Sequence, residues 1–194
     1  MKSFHNQKRR NLQSKRAFTL LELLVVITIL GVLVALGLRS FLASQMKARD
    51  SKRKGEVEQL SKALEMFWGD QGYYPVGNDL GQIMMQNSES SWTIFEWGEE
   101  FYDVNNPSTI YMTKLPGSGN IKCYYQAYRL AGGSFEAVDN NESEQAHAYQ
   151  IYTHIENLED QSMLQVETGL SCGAASCNYV IMSVNLPENS VITQ

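Results

Sequence analysis

Residues 15–38 read KRAFTLLELLVVITILGVLVALGL. Two basic residues lead into an apolar run, and one carboxylate, Glu22, sits near its start. Phe18 to Leu38 is 21 residues with a single charge. At 1.5 Å per residue such a helix spans about 31 Å, the thickness of a bilayer's hydrocarbon core. A cleaved secretory signal has a shorter apolar run followed by a small-residue site. Here the small residue, Ala17, precedes the run, so the segment is expected to stay with the chain. A carboxylate at membrane depth is costly. Glu22 is therefore hydrated by headgroups, protonated, or waiting for a cation.

Charge is distributed unevenly around this segment. Residues 1–17 carry +6, residues 39–54 carry +5, and residues 55–194 carry −15. The overall −5 hides a basic front and an acidic body. An acidic body argues against nucleic acid as a partner. Basic residues are nearly balanced across the membrane segment, so their count alone gives only a weak orientation.

Within the apolar run, Gly31-x-x-x-Ala35 is a small-xxx-small pair that permits close approach of another helix in lipid. Small residues are also common in membrane helices, and both readings stand. Beyond Leu38 the pattern changes. Val57, Leu60, Leu64 and Phe67 form one stripe at helical spacing, opposite Glu56, Glu58, Lys62 and Glu65. This predicts an amphipathic helix over 39–70 lying on a folded head, with Gly55 as a candidate bend and GDQGYYP as the stop. Arg49, Lys52, Arg53 and Lys54 form a basic patch for lipid headgroups or for acidic heads of neighbouring subunits.

The head, 71–194, reads as a small antiparallel sheet. Its strands are expected within 121–130, 148–155 and 178–186, all rich in Tyr, Ile and Val. Residues 77–116 read as irregular, with short helices or turns near GQIMMQ and WTIFEWGEEF. AGGSFEAVDNNESEQ reads as an exposed acidic loop. The fold class is therefore α+β, a long N-terminal helix whose first half is transmembrane and whose second half packs on the sheet.

Three cysteines leave at least one thiol over. Cys172 and Cys177, with Gly and Ala between them, are candidates for a disulfide. Cys123 is the alternative partner if the first and last strands are neighbours. A metal site from these cysteines with His147 or His154 lacks the usual ligand spacing, and the acidic run Asp139, Asn140, Asn141, Glu142, Glu144 reads as a solvated turn before it reads as a calcium loop. No catalytic motif appears, so no catalytic residue, cofactor or metal is assigned.

The stretch KRA-FTLLELLVVITILGVLVALGL resembles the N-terminus of type IV pilins and type II secretion pseudopilins: a basic leader, a small residue, Phe-Thr-Leu-Leu-Glu and a long apolar helix. KARDSKRKGEVEQLSKALEMFWGDQGYYP continues the likeness, nearest the G-type pseudopilins. It covers roughly 14–76. The resemblance implies that residues 1–17 are a leader, that a prepilin peptidase cuts between Ala17 and Phe18, and that the new Phe18 amine is methylated. The family usually has Gly where Ala17 stands. The freed amine, four residues before Glu22, is a partner for it within the same chain or across subunits, and the resemblance favours the pair with a neighbouring subunit, which fixes axial register. The N-terminus is then inside and the head outside, on the cytoplasmic (inner) membrane and later in a filament. Implied partners are copies of the chain, other pilin-like subunits, the peptidase, the inner-membrane assembly machinery and the bilayer. Two other classes stay open: a ligand-binding minor pilin, adhesive or for DNA uptake, and a membrane-anchored extracytoplasmic enzyme.

Overall fold

The computed structural model describes residues 18–117, 119–138, 145–164 and 169–186. The chain divides into two compact units, 1–43 and 44–194. Helix α1, Leu20–Gln71, belongs to both.

In the first unit every described side chain from Phe18 to Ala43 is exposed. The helix there is apolar all round and long enough to cross a membrane. In the second unit the same helix is one-sided. Val57, Leu60, Ala63, Leu64 and Phe67 are buried, as the stripe predicts. The helix passes Gly55 and Gly69 without a break. It ends where Gly72 takes a φ of +77° and donates its N–H to the Trp68 carbonyl at 2.8 Å, the left-handed cap that glycine adopts at least cost.

Eleven strands follow among the described residues: β1 (Val76–Gly77), β2 (Ile83–Gln86), β3 (Trp92–Phe95), β4 (Phe101–Asp103), β5 (Asn106–Met112), β6 (Tyr124–Ala131), β7 (Ser134–Ala137), β8 (Ala148–Thr153), β9 (Ser171–Cys172), β10 (Ala175–Ser176) and β11 (Tyr179–Met182). The main sheet has the order β11-β8-β6-β7, antiparallel throughout. Its inner face sends Tyr125, Ala127, Tyr149 and Ile151 into one core with the α1 stripe. Its outer face is also covered. Tyr128 and Ala148 pack with Leu186, and Tyr152 packs with Cys172 and Cys177. The central strand β8 is therefore buried at all six positions. Gln150 lies among these apolar groups, and its Oε1 accepts both the Tyr128 and the Tyr152 hydroxyls at 2.6 Å. That satisfies a carbonyl which would otherwise be costly to bury.

Three expectations need correction. Residues 77–116 hold four strands and part of a fifth, not short helices: β1-β2-β3 form one sheet and β4-β5 another. The stretch after β6 is not all loop. Gly132 and Gly133 both take positive φ and turn the chain into β7, with Ala131 opposite Ser134, a two-residue hairpin that two glycines suit. The acidic run 139–144 that follows lies outside the described residues. Finally, the strands carrying 124–131 and 179–182 are not neighbours, since β8 runs between them. This removes the geometry on which a bridge from Cys123 depended.

Candidate processing and assembly site

Helix α1 begins with a reciprocal cap. Thr19 precedes the first helical residue, and Glu22 lies three positions on. The Thr19 N–H donates to Glu22 Oε2 at 3.0 Å, and the Thr19 hydroxyl donates to the same oxygen at 2.9 Å. In return, the Glu22 N–H donates to Thr19 Oγ1 at 3.2 Å. This is a capping box. It places an anion at the positive end of the helix dipole and gives the carboxylate two local donors. Both lower the cost of holding Glu22 near hydrocarbon. Headgroup hydration, protonation and a cation are thus joined by a fourth way of accommodating Glu22, a local cap from Thr19, and Thr-x-x-Glu before an apolar run is the spacing that reveals it.

The other predicted residues are placed as follows. Ala17 lies outside the described residues. Phe18 is 79% exposed. Gly31 and Ala35, one turn apart on a single helix face, are exposed, and a Cβ built on Gly31 would meet nothing within 4 Å. Cys172 and Cys177 are joined by a disulfide, with Cα atoms 5.1 Å apart. Cys123 is a buried thiol, pushed up to about 12 by burial. With two cysteines bonded to each other, their thiolates are not available to a metal. Among the described residues no cluster of His, Cys, Asp and Glu has metal-binding geometry.

A second polar cluster was not foreseen. Asp50 is 2% exposed. Its Oδ1 accepts the backbone N–H of Glu156, and its Oδ2 that of Asn157, each at 2.8 Å. Arg53 reaches Asp50 at 3.1 Å and Glu156 at 2.6 Å. Arg49 closes on Glu156 at 2.5 Å, and Lys54 on Asp160 at 2.7 Å. The Lys54 ammonium also donates to Ser162 Oγ at 2.6 Å. The Arg49 and Arg53 guanidiniums hold the Glu156 carboxyl down at about 2. Lys54 and Ser162 hold Asp160 well below its usual range. Three of the four cations in the basic patch thus pair with carboxylates of the 156–160 loop. The fourth, Lys52, is 78% exposed and pairs along the helix with Glu56 at 3.6 Å.

The family model for the prokaryotic N-terminal methylation motif matches residues 12–38, which take in Lys15 and Arg16, the capping box and the apolar helix to Leu38. The type II secretion system core protein G of Klebsiella pneumoniae is 41% identical over 105 residues, 54% of this chain and 69% of that protein. The core protein G of Escherichia coli strain K12 is 38% identical over 69 residues, 36% of this chain and 48% of that one. The type IV major pilin protein PilA of Myxococcus xanthus is 31% identical over 67 residues, 34% of this chain and 30% of that protein. Against several of these relatives the match spans about half their length or less. No solved structure matches the chain. The motif match falls on the apolar helix opened by Phe-Thr-Leu-Leu-Glu, the Klebsiella pneumoniae relative is matched over more than two thirds of its own length, and the chain belongs to the type II secretion system core protein G family.

Proposed function

We propose that this chain is a structural subunit of a type II secretion pseudopilus or a type IV pilus-like filament, and not an enzyme. Residues 1–17 are its leader, 18–38 its single membrane segment, 39–70 the amphipathic continuation and 71–194 the extracytoplasmic head. It is held in the inner membrane with its N-terminus inside. Prepilin peptidase cuts between Ala17 and Phe18 and methylates the Phe18 amine. Glu22 then pairs with the Phe18 amine of a neighbouring copy, and Gly31 and Ala35 let helices pack closely.

One observation carries this reading. From Phe18 to Gln45 every side chain is exposed, most of them large and apolar. Among the described residues of the first unit nothing buries them, so lipid before assembly and other helices after it are the surfaces left to do so. The capping box supports the same order of events. Thr19 keeps Glu22 satisfied while the subunit is alone, and a neighbour's ammonium adds a full charge when it arrives. A buried polar pair of this kind specifies register more than it adds stability.

The test is mass spectrometry of the mature N-terminus from the host envelope. Methylated Phe18 with residues 1–17 gone is the expected result; an intact leader on all copies refutes the reading. Glu22→Ala is expected to insert and to be cut, yet to give almost no filaments. Wild-type filament yield from that variant would remove Glu22 from the assembly step.

A further inference from the structure

This inference rests on the filament reading and adds a contact between copies. The last turn of α1 holds Asp70 and no basic residue, so an exposed carboxylate stands at the negative end of the helix dipole. Gln71, next in sequence, reaches Asp103 on β4. Asp103 is 8% exposed. Its Oδ2 accepts Gln71 Nε2 at 3.1 Å, and its Oδ1 accepts the Asn105 N–H at 2.8 Å. Both donors are neutral. The ion pairs of the second unit lie elsewhere, so among the described residues neither Asp70 nor Asp103 has a cation. The Tyr111 hydroxyl lies beside both carboxylates. Tyr111 is as buried as Asp103, and its ring is held by Phe67 at 5.3 Å and Phe101 at 5.4 Å. Its hydroxyl is buried without a hydrogen-bond partner among the described residues. Burial, with Asp70 and Asp103 close by, pushes that hydroxyl up to about 12. Asp70 and Gln71 stand near enough to shift it without meeting hydrogen-bond geometry. An idle buried hydroxyl is costly, and so is a nearly buried carboxylate with no cation.

Beyond the leader, positive charge gathers in residues 39–54, which carry +5 against −15 for the rest of the head. In that stretch Arg49, Arg53 and Lys54 pair with the 156–160 loop, and Lys52 with Glu56. Lys47 is exposed and in no ion pair among the described residues. Glu159 and Asp160 share a hollow with it, but Asp160 is taken by Lys54 and Glu159 forms no ion pair with Lys47. We propose that the Lys47 ammonium of a second copy docks at the end of α1, between Asp70 and Asp103, with the Tyr111 hydroxyl as its third oxygen. An ammonium has three donors to match. Lys47 and Asp70 are 23 residues apart on one helix, about 35 Å at 1.5 Å per residue. The contact is therefore heterologous. Copies offset along that axis continue it without closing, which is the condition for an open filament. The charge pairing sets their register.

The test uses the full-length chain in its host, with three readouts: the mature N-terminus, head melting and sheared-filament yield. Lys47→Glu is expected to lower filament yield about tenfold, the scale of a partly desolvated charge pair turned repulsive, with processing and melting unchanged. Asp70→Lys is expected to lower yield as much while melting holds or rises, since a cation suits a helix C-terminus better than an acid does. The two changes together should restore assembly. Tyr111→Phe removes only the idle hydroxyl. It should leave melting at or above the unmutated value and cut yield about twofold, the scale of one weak hydrogen bond. Wild-type yield from Lys47→Glu overturns the proposal, also where Asp70→Lys fails to assemble, which is what a metal ion or another cation on those carboxylates would give. So does a double reversal that leaves yield low. Absence of methylated Phe18 in the unmutated chain refutes the filament reading itself, before any of these comparisons.

Discussion

Asp50 Oδ1 lies 2.8 Å from the backbone nitrogen of Glu156, across 106 residues of sequence. A nearly buried carboxylate on the helix thus holds the start of the loop that leaves β8, and Arg53 shields its charge. Removing the carboxylate leaves the backbone N–H groups of Glu156 and Asn157 without their acceptor and takes one of its two carboxylate partners from Arg53. Asp50→Ala is expected to destabilise the head by about 3 kcal/mol, typical of breaking one partner out of a buried pair. Asp50→Asn, which keeps the shape and one acceptor, should cost less. Urea unfolding of the detergent-solubilised chain measures both. Equal midpoints for Asp50→Ala and the unmutated chain would mean that the clamp contributes nothing.

Glu156 makes the clamp sensitive to acid. Its folded carboxyl titrates near 2, below the ordinary glutamate value. A depressed carboxyl contributes stability that is fully present above its unfolded pKa and is lost as pH falls through the folded one. Asp160, also depressed, acts in the same direction. Head stability is therefore expected to be flat from pH 7 to about 4.5 and then to fall toward pH 2. Glu156→Gln should reduce the fall while lowering the neutral-pH plateau. Because Glu156 and Arg49 are partly exposed, the slope is also expected to weaken in high salt. Melting curves across that pH range at two salt concentrations provide the check.

The disulfide anchors the layer over the outer face of the sheet. Cys172 is fully buried beside Tyr152. The neighbouring Gly173 lies so close to the 119–122 loop that a Cβ there would stand 2.4 Å from the Asn120 carbonyl oxygen. Closing so short a loop is worth about 2 kcal/mol in the chain-entropy description. Cys172→Ser with Cys177→Ser should cost about that amount plus the packing lost. Cys123 should resist alkylation in the native protein, since a buried thiol raised to about 12 holds almost no thiolate at neutral pH. Alkylation counted by mass should give no label when native, one when unfolded without reductant, and three after reduction.

How far the sequence revealed this molecule depended on whether the signal was local. The α1 stripe was legible because Val57, Leu60, Leu64 and Phe67 repeat at the helical period and all face one core. Strands β6, β8 and β11 were legible from their Tyr, Ile and Val content. The strands between 83 and 112 were not. β2 is buried at three successive positions, and β5 is exposed over its first half, so neither shows the alternation that marks a strand. The β4–β5 pairing also slips register twice, which disrupts the period further. Gly132-Gly133 did carry a hairpin signal, masked by the acidic residues after it. Asp50 gave no signal at all. It sits in a run of charges that looks solvated, and the backbone N–H groups it accepts lie more than a hundred residues away. At the N-terminus the reverse held: Thr19 and Glu22 are three apart, and their bond was written in the spacing.

That bond gives the last prediction. If Thr19 holds Glu22 ready for a neighbour, the hydroxyl is the part that matters. Thr19→Ser keeps the hydroxyl and should behave as the unmutated chain does. Thr19→Val keeps the branched shape, loses a donor to Glu22 and an acceptor for its N–H, and should cost about 1 kcal/mol of order in the first turn. In lipid nanodiscs this should appear as faster amide exchange over residues 20–23, with exchange from Val57 to Phe67 unchanged. Local fraying of that kind lets the carboxylate sample other positions, so filament yield should fall less than with Glu22→Ala, where the charge itself is gone. If Thr19→Val and Thr19→Ser gave the same exchange and the same yield, Glu22 would be positioned by something other than its own helix cap.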